Sequence, residues 1–495
     1  MLDRRRLLAI GAGAAVAGGT AAVVAARGTA EPVAGKTPPG HGHGGGHGLA
    51  KNARMSPVAA ATPFAVRMPV PPVLAPVRRT AEADEYEISV KNADVNVLPG
   101  MTTAAITFNG QFVAPTIRAR SGRPVKIRYT NRLDHGATVH VHGAHVSADN
   151  DGYPMDLIAP GASRTFTYPN SQPGATLWYH DHTHHWEAEH VYKGMHGFYL
   201  IDGPDEYGLN LPSGAYDVPI LIRDAHFDDK GGLILDVERP EARSTFLANG
   251  KPQPYFPVAR RKYRFRLLNA SIHRIFELDL GGAEMVQIGS DGGLLPEPVK
   301  VTKLTLAPGE RAEVVVDFAK HALGSKLTLS EPSGPVVRFD VEREAVDPSR
   351  VPARLRPLPP LPSPVRTREF KLAVAPSMMA YAINDLEWDP NRVDAVIKEG
   401  TSEIWRIYNA DTVDSPFGGI DHNFHVHLVQ FRVLDRDGKP PAPGEEGWKD
   451  TVLVRPGESV RIQATFKGSP GKYVYHCHLQ EHSVAGMMGQ LEITP

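Results

Sequence analysis

The sequence predicts an all-β protein built from three tandem domains, because two local patterns recur three times in the same order. A Pro-Gly turn that precedes an alternating strand occurs at positions 160–161, 308–309 and 456–457, a constant spacing of 148 residues. Upstream of each turn lies a strand that ends in asparagine, at Asn131, Asn269 and Asn409. No long helical periodicity interrupts these short strands. Repeats of this kind indicate three copies of one β domain, either a sandwich or a Greek-key barrel.

Composition excludes several classes of protein. The 495 residues include 54 Lys and Arg against 55 Asp and Glu, a formal net charge of -1. This balance offers no basic surface for nucleic acid. A single cysteine, Cys477, excludes an intrachain disulfide, a zinc site made of cysteines alone and an iron–sulfur cluster.

The N-terminus predicts an export signal followed by a tether. Arg4, Arg5 and Arg6 precede a run of Ala, Gly and Val, so residues 1–30 are predicted to be a twin-arginine signal peptide. A retained membrane anchor is the alternative, and the membrane is otherwise not an expected partner. Residues 31–77 are rich in His, Gly and Pro and predict a flexible tether. The mature protein is therefore expected outside the cytoplasm, in the extracellular space, the periplasm or the cell envelope.

The repeats set the expected domain boundaries. The first domain is predicted over residues 78–204, the second over 205–346 and the third over 366–495. A Pro-rich linker is expected over residues 347–365. Three complete domains in one chain can form a shared site, so the protein is predicted to be a monomer.

Four His-x-His pairs distinguish the outer domains from the middle one. The pairs are His140 and His142, His180 and His182, His425 and His427, and His476 and His478. Alternate residues of a strand point to the same face, so each pair presents two imidazoles together. The equivalent position of the middle repeat carries Thr328 to Ser330, so that domain is interpreted as a spacer. If the outer domains dock face to face, eight imidazoles converge.

Cys477 must point away from the two histidines that flank it. Its expected neighbours are His482 and Met487, which follow it closely in the sequence. His422 is a third expected neighbour, because it lies three residues before His425 and off the strand face that His425 and His427 share. Two His, one Cys and a distant Met are the ligands of a blue-copper site, with Met488 as the alternative axial ligand. An electron that arrives at Cys477 can then pass through the backbone to both flanking histidines. Such wiring suits a multi-copper cluster that reduces O2 by four electrons.

With these motifs in place, the chain resembles the multicopper oxidase family, and within it the laccase-like branch of bacterial spore-coat laccases and bilirubin oxidases. The resemblance spans roughly residues 80–495 and also includes the segments 178–182, 289–295, 431–435 and 448–452. It implies three cupredoxin-like Greek-key β-barrel domains and four coppers per chain.

The resemblance also implies a ligand set. The type-1 copper takes His422, Cys477, His482 and Met487, the type-2 copper takes His140 and His425, and the type-3 pair takes His142, His180, His182, His427, His476 and His478. The tripeptide of His476, Cys477 and His478 is the implied electron path. Asp151 matches an acidic residue that supports proton delivery in the family. The residue after the second type-1 histidine is usually Glu in this branch and is Ser483 here, so proton delivery is expected to be rerouted or slowed.

The function expected from these motifs is oxidation of phenols or aromatic amines with O2. A metal oxidase acting on Cu(I), Mn(II) or Fe(II) is the alternative within the class, although no Met-rich run is visible among the 11 methionines. A non-catalytic copper-binding protein of the envelope is the alternative outside it, and it predicts missing ligands. A copper-loading site is a further hypothesis for a patch of side chains after the second pair, with a solvated surface loop as the alternative: His184, His185, Glu187, Glu189 and His190.

Overall fold

The computed structural model describes residues 61–378 and 380–495, and these residues confirm the predicted all-β fold of tandem cupredoxin-like domains. The predicted signal peptide and the histidines of the tether lie outside the described residues. Within the described residues, the two α-helices are α1 (Glu187–Lys193) and α2 (Gln480–Val484). No helix in this part of the chain has the length and apolar character needed to cross a membrane.

The first set of strands forms two sheets from residues of the first predicted domain. The strands are β1 (Arg78–Arg79), β2 (Asp84–Val95), β3 (Thr103–Phe108), β4 (Ile117–Arg120), β5 (Val125–Asn131), β6 (Val139–His142), β7 (Ser163–Tyr168), β8 (Ala175–Asp181) and β9 (His196–Asp202). One sheet has the order β1-β2-β5-β7, with β3 paired to β2, and the other has the order β4-β9-β8-β6. The two histidine-bearing strands β6 and β8 are therefore neighbours.

The second set of strands is the largest. It comprises β10 (Asp217–Ala225), β11 (Thr245–Ala248), β12 (Lys251–Pro252), β13 (Tyr255–Arg260), β14 (Lys262–Asn269), β15 (Phe276–Asp279), β16 (Met285–Ser290), β17 (Gly293–Val301), β18 (Lys303–Leu306), β19 (Arg311–Asp317), β20 (Lys326–Glu331) and β21 (Gly334–Glu344). One sheet has the order β12-β11-β10-β14-β19-β16-β17 and the other β13-β21-β20-β15-β18.

The third set repeats the plan of the first. It comprises β22 (Arg366–Val374), β23 (Tyr381–Ile383), β24 (Ala395–Lys398), β25 (Ser402–Asn409), β26 (His422–Val426), β27 (Phe431–Arg436), β28 (Thr451–Val454), β29 (Ser459–Thr465), β30 (Gly471–His476) and β31 (Met488–Thr494). The sheets have the orders β23-β22-β25-β29-β27 and β24-β31-β30-β26-β28. The histidine-bearing strands β26 and β30 are again neighbours. Short 3-10 helices lie at Ala148–Asn150, Pro204–Glu206, Gly214–Tyr216, Pro240–Ala242, Phe318–Lys320 and Pro443–Glu445.

The recurring Asn and Pro-Gly signals correspond to one repeated hydrogen bond. The glycine N–H donates to the carbonyl of the asparagine that ends the preceding strand: Gly161 to Asn131 at 2.8 Å, Gly309 to Asn269 at 2.9 Å and Gly457 to Asn409 at 3.0 Å. All three glycines have a positive φ, which a residue with a Cβ rarely adopts. The same local sequence thus forms the same turn in each repeat.

The structure corrects the end of the predicted tether. Residues 61–77 do not form a free linker, because their backbone hydrogen-bonds to the domains. The N–H of Met68 donates to the Tyr255 carbonyl at 2.7 Å, and the N–H of Leu74 donates to the Thr116 carbonyl at 2.8 Å. The Met68 side chain is 1% exposed and packs in the core of the second domain. Main-chain pairing and the burial of Met68 and Pro71 order a segment whose composition alone does not predict this.

Candidate metal centres

Eight imidazoles converge between the first and third domains. Strand register brings the pairs together, because His140 lies opposite His180 across β6 and β8, and His425 lies opposite His476 across β26 and β30. All eight side chains of the four predicted pairs are at most 1% exposed. Ligand atoms lie within 4.8 Å of one another in three groups: His142, His180 and His478; His182, His427 and His476; and His140, His425 and His427. The structure therefore brings together every histidine of the four pairs.

Six of the eight imidazoles have one nitrogen held from outside the cluster, the exceptions being His182 and His478. The Nδ1 atoms of His140 and His425 lie 2.7 and 2.8 Å from the carbonyls of Asp151 and Asp450. The Nδ1 atoms of His180 and His476 lie 2.8 and 3.0 Å from the carbonyls of Asp181 and Cys477. Such contacts fix the tautomer and turn the other nitrogen toward the interior of the cluster.

The inward nitrogens are suited to a metal. The Nε2 atoms of His140, His180 and His425 are buried and have no hydrogen-bond partner among the described residues. A buried polar atom without a partner is costly, and a metal ion satisfies an imidazole lone pair. Burial first, and neighbouring imidazoles second, hold the pKa well below its usual value for His142, His180, His182, His425, His427 and His478. The cluster consequently presents neutral imidazoles, the form that binds a metal.

His142 is oriented by groups from both other domains. Its Nε2 lies 2.8 Å from Asp450 Oδ1 and 3.0 Å from Thr451 Oγ1, so its Nδ1 is the inward atom. Asp450 in turn accepts two hydrogen bonds from the Arg311 guanidinium, at 2.7 and 2.6 Å. Arg311 belongs to β19 of the second domain, and all three side chains are fully buried. The second domain, interpreted as a spacer, thus positions a histidine of the cluster.

Gly309 of the second domain lies directly behind the cluster. A Cβ at this position would lie 3.1 Å from His142 Cε1 and 3.1 Å from His478 Cγ. A side chain there would press on two imidazoles of one group. The Gly of the recurring turn therefore also supplies the close backbone approach that the cluster needs.

The second centre surrounds Cys477 on the opposite side of β30. His422, Cys477 and His482 form one group of close ligand atoms, with Cys477 Sγ 3.9 Å from His422 Nδ1 and 3.6 Å from His482 Nδ1. Burial raises the pKa of the thiol to about 12. A metal must therefore displace the thiol proton when it binds. Met487 is fully buried in the same core, and its carbonyl accepts from the Cys477 N–H at 3.1 Å.

Groups outside the centre hold its ligands in place. His422 Nε2 lies 2.8 Å from Asp411 Oδ2, which leaves Nδ1 directed at the cysteine. Asn423 Oδ1 accepts from the N–H groups of His478 and Leu479 at 2.6 and 3.0 Å. The loop after β30 is thereby fixed by a side chain of β26.

The tripeptide His476, Cys477 and His478 joins the two centres. Its histidines belong to two different groups of the imidazole cluster, while Cys477 belongs to the second centre. This is the arrangement that strand alternation predicts. The link between the centres consists of covalent bonds within three consecutive residues.

Asp151 lies against the imidazole cluster. Its Oδ2 is 2.7 Å from His427 Nδ1, and its Oδ1 is buried without a hydrogen-bond partner among the described residues. Gly152 follows with a φ of 77°, and a Cβ there would lie 2.2 Å from the Val139 carbonyl. The turn that carries Asp151 therefore packs directly on β6.

Sequence reasoning missed the outer partners. Asp450, Arg311 and Asp411 were assigned no role, although Asp450 lies in one of the segments that carried the resemblance. Their contacts join residues far apart in sequence, such as the 308 positions between His142 and Asp450. No local sequence pattern predicts a contact between residues so far apart in the chain.

The residues of the hypothetical copper-loading patch do not form a group of close ligand atoms in the described part of the chain. Within the described residues, groups of three or more close ligand atoms occur only in the two centres. Glu187 and His190 point inward and are buried, whereas Glu189 pairs with Lys193 at 2.6 Å. The residues of the patch therefore face different surroundings.

Three family models, each describing a multicopper oxidase, match residues 89–206, 178–325 and 360–495. A laccase from Bacillus subtilis (strain 168) is 34% identical over 515 residues, which cover 87% of this chain and 98% of the relative. A bilirubin oxidase from Albifimbria verrucaria is 32% identical over 473 residues, which cover 87% of this chain and 81% of the relative. The crystal structure of a laccase from Pediococcus acidilactici has a TM-score of 0.82 at 29% identity, over 88% of this chain and 95% of that one. The two histidine-rich centres and these matches together place the chain in the multicopper oxidase family, as a laccase-like oxidoreductase.

Proposed function

We propose that this protein oxidises phenols or aromatic amines one electron at a time and passes the electrons to O2. The observation that carries the proposal is the covalent link from Cys477 to two groups of the imidazole cluster. Four substrate molecules each lose one electron, and one O2 takes four electrons and four protons to give two waters. When bound, copper supplies the one-electron acceptance and the reduction of O2.

The proposed ligand set follows the grouping of the side chains. His422, Cys477, His482 and Met487 hold the type-1 copper. His140 and His425 hold the type-2 copper, and the other six histidines of the four pairs hold the type-3 pair. The total is about four coppers per chain, as a blue site beside a trinuclear cluster requires. Unpartnered inward nitrogens support this set.

Electrons are proposed to enter beside His482. The Tyr381 ring, half-buried, stacks on the His482 imidazole with 4.0 Å between ring centroids. His482 is itself only 2% exposed, so a substrate need not displace any ligand. A substrate at the half-buried Tyr381 would then be one ring contact away from a ligand of the type-1 site.

The substrate class is tested by oxygen uptake on copper-loaded protein. A simple phenol, an aminophenol and bilirubin are compared with Cu(I) and Mn(II) at equal concentrations. The proposal expects uptake with the aromatic compounds, with four substrate electrons removed for each O2. Uptake with the metal ions alone would assign the protein as a metal oxidase, and no uptake with any donor would support the non-catalytic alternative.

We infer further that the chain is exported by the twin-arginine pathway and acts as a monomer. Arg4, Arg5 and Arg6 support export, and both centres assemble from one chain. Replacing the three arginines with lysine should retain the protein in the cytoplasm. Light scattering during gel filtration should give the mass of one chain.

A further inference from the structure

A buried carboxyl group lies opposite the serine that replaces the expected glutamate. Ser483 of α2 donates a hydrogen bond from Oγ to Oε2 of Glu187, the first residue of α1, at 3.4 Å. Glu187 is 1% exposed and Ser483 is fully buried. The two residues are 296 positions apart and belong to different domains. The first domain thus places a carboxyl group where the third domain lacks one.

Glu187 has the surroundings of a proton donor. Its Oε1 is buried and has no hydrogen-bond partner among the described residues. Burial raises the pKa of Glu187 well above its usual value, the nearby Asp181 raises it further, and the Ser483 hydrogen bond lowers it. No cation is among the groups that act on it. Burial therefore favours the protonated form of this carboxyl group.

The chain connects Glu187 to the imidazole cluster on one side, and its partner Ser483 to the second centre on the other. Asp181 separates His180 from His182, and its carboxylate accepts from the N–H and the Oγ of Thr183, each at 2.9 Å. Ser483 directly follows His482 on α2. Helices α1 and α2 pack together where the first and third domains meet. Glu187 therefore lies on the segment that leaves the imidazole cluster, and it packs against the helix that carries His482 of the second centre.

A row of side chains leads from solvent to Asp181, whose charge acts on Glu187. His135 is 28% exposed, and its Nε2 lies 2.9 Å from Nε2 of the buried His190. His190 Nδ1 lies 3.1 Å from Asp181 Oδ2. His135 Nδ1 lies 2.7 Å from the exposed Asp134. Imidazoles in contact can pass a proton from one nitrogen to the other.

We propose that Glu187 is a proton-relay residue for the reduction of O2, supplying the carboxyl group that is absent at Ser483. The inference rests on the proposed oxidase function. In the relay, the O–H bond of Glu187 breaks and its proton joins an oxygen atom that is being reduced, while the organic substrate supplies the electrons. Solvent then returns a proton to the Glu187 carboxylate.

Infrared spectroscopy tests the protonation without any turnover. In copper-free protein at neutral pH, the carbonyl stretch of a protonated carboxyl group should disappear in Glu187→Gln. Glu189→Gln is the matched control, because Glu189 lies on the same helix but pairs with Lys193 at the surface. If the difference spectrum between wild type and Glu187→Gln lacks this carbonyl band, the proposal is overturned.

Stopped-flow spectroscopy tests the relay itself. After reduction by substrate, Glu187→Gln should recover its blue colour with O2 about a hundredfold more slowly than wild type. A rate loss of this size is typical when a general acid is removed. Bleaching by substrate should be unchanged, and Glu189→Gln should behave as wild type. The double variant Glu187→Gln/Ser483→Glu returns a carboxyl group from the third domain and should recover most of the rate.

The outcomes separate the relay from the oxidase function. A Glu187→Gln protein that recolours at the wild-type rate overturns the relay, even if the infrared band is present. A wild-type protein that never reduces O2 overturns the proposed function instead, and the relay with it. If Glu187→Gln fails to fold, Glu187→Asp, which keeps a shorter carboxyl group, should keep the band and lose part of the rate. Wild-type kinetics in Glu187→Asp together with an absent band would count against the relay.

Discussion

Replacing Arg311 with methionine should destabilise the protein and loosen one histidine of the cluster. The Arg311 guanidinium donates hydrogen bonds to residues of all three domains. Its Nε donates to the Thr176 carbonyl at 2.8 Å, its Nη2 donates to the Asp291 carbonyl at 3.0 Å, and two further bonds reach Asp450. Methionine fills much of the space but satisfies none of these acceptors.

The magnitude follows from burial. Arg311 and Asp450 are both 0% exposed, so the variant leaves a buried carboxylate without its cation. Breaking a buried ion pair on one side costs about 3–5 kcal/mol. For domains of this size, that cost lowers the melting temperature by roughly 6–20 °C. Since Asp450 also orients His142, copper affinity should fall about tenfold to a hundredfold, as is typical when the partner of a metal ligand is lost.

The assay uses two independent readouts. Thermal melting of copper-free protein measures the structural cost, and copper retained after dialysis against a chelator measures the loss at the cluster. Arg406→Met is the matched control, because the Arg406 and Glu369 pair lies at the surface, with side chains 45% and 61% exposed. Such a pair contributes about 0–1 kcal/mol.

One result would refute this reasoning. If Arg311→Met melts within a degree or two of Arg406→Met and retains as much copper, the guanidinium does not hold the domains or His142. Loss of stability without loss of copper would limit its role to domain packing.

Four other predictions follow from the two centres and the buried histidines. Cys477→Ser should lose the blue colour and substrate oxidation, because the charge-transfer band requires the thiolate; a blue variant in visible absorption would contradict the type-1 assignment. Met487→Leu should raise the redox potential of the type-1 site, because the oxidised metal loses a weak donor; an unchanged potential in redox titration would point to Met488. Asp151→Asn should keep the colour and the copper but recolour slowly with O2 in stopped-flow measurements, and recolouring at the wild-type rate would place the proton path elsewhere. Burial lowers the pKa of His196 to about 3, so only the unfolded chain takes up its proton as pH falls below about 6.5; copper-free protein should lose about 2 kcal/mol from this residue by pH 5, and His196→Gln should remove that part of the loss in denaturation curves. An equal loss in the variant would show that His196 is not the source.

Much of the candidate site could be predicted because it depends on alternation along single strands. The two histidines of each pair share a face, and Cys477 lies on the other face, whatever the neighbouring domains do. The three repeats were equally visible, since each Asn and Pro-Gly signal closes its own turn by a local hydrogen bond. The end of the tether was not visible, because Met68 and Leu74 are ordered by backbone bonds to distant strands.

The sequence by itself determined the all-β class, the three repeats and the identity of the candidate ligands, since each rests on residues close together in the chain. Only the tertiary structure decided which groups orient those ligands and which carboxyl group lies beside Ser483. His142 and Asp450 are 308 residues apart, Arg311 and Asp450 139, and Ser483 and Glu187 296. Contacts of this kind depend on how domains pack, and domain packing also removes the water that would otherwise stabilise the charged forms of the imidazoles and of Glu187. Burial, which no local pattern encodes, thereby lowers the pKa of the imidazoles and raises that of Glu187.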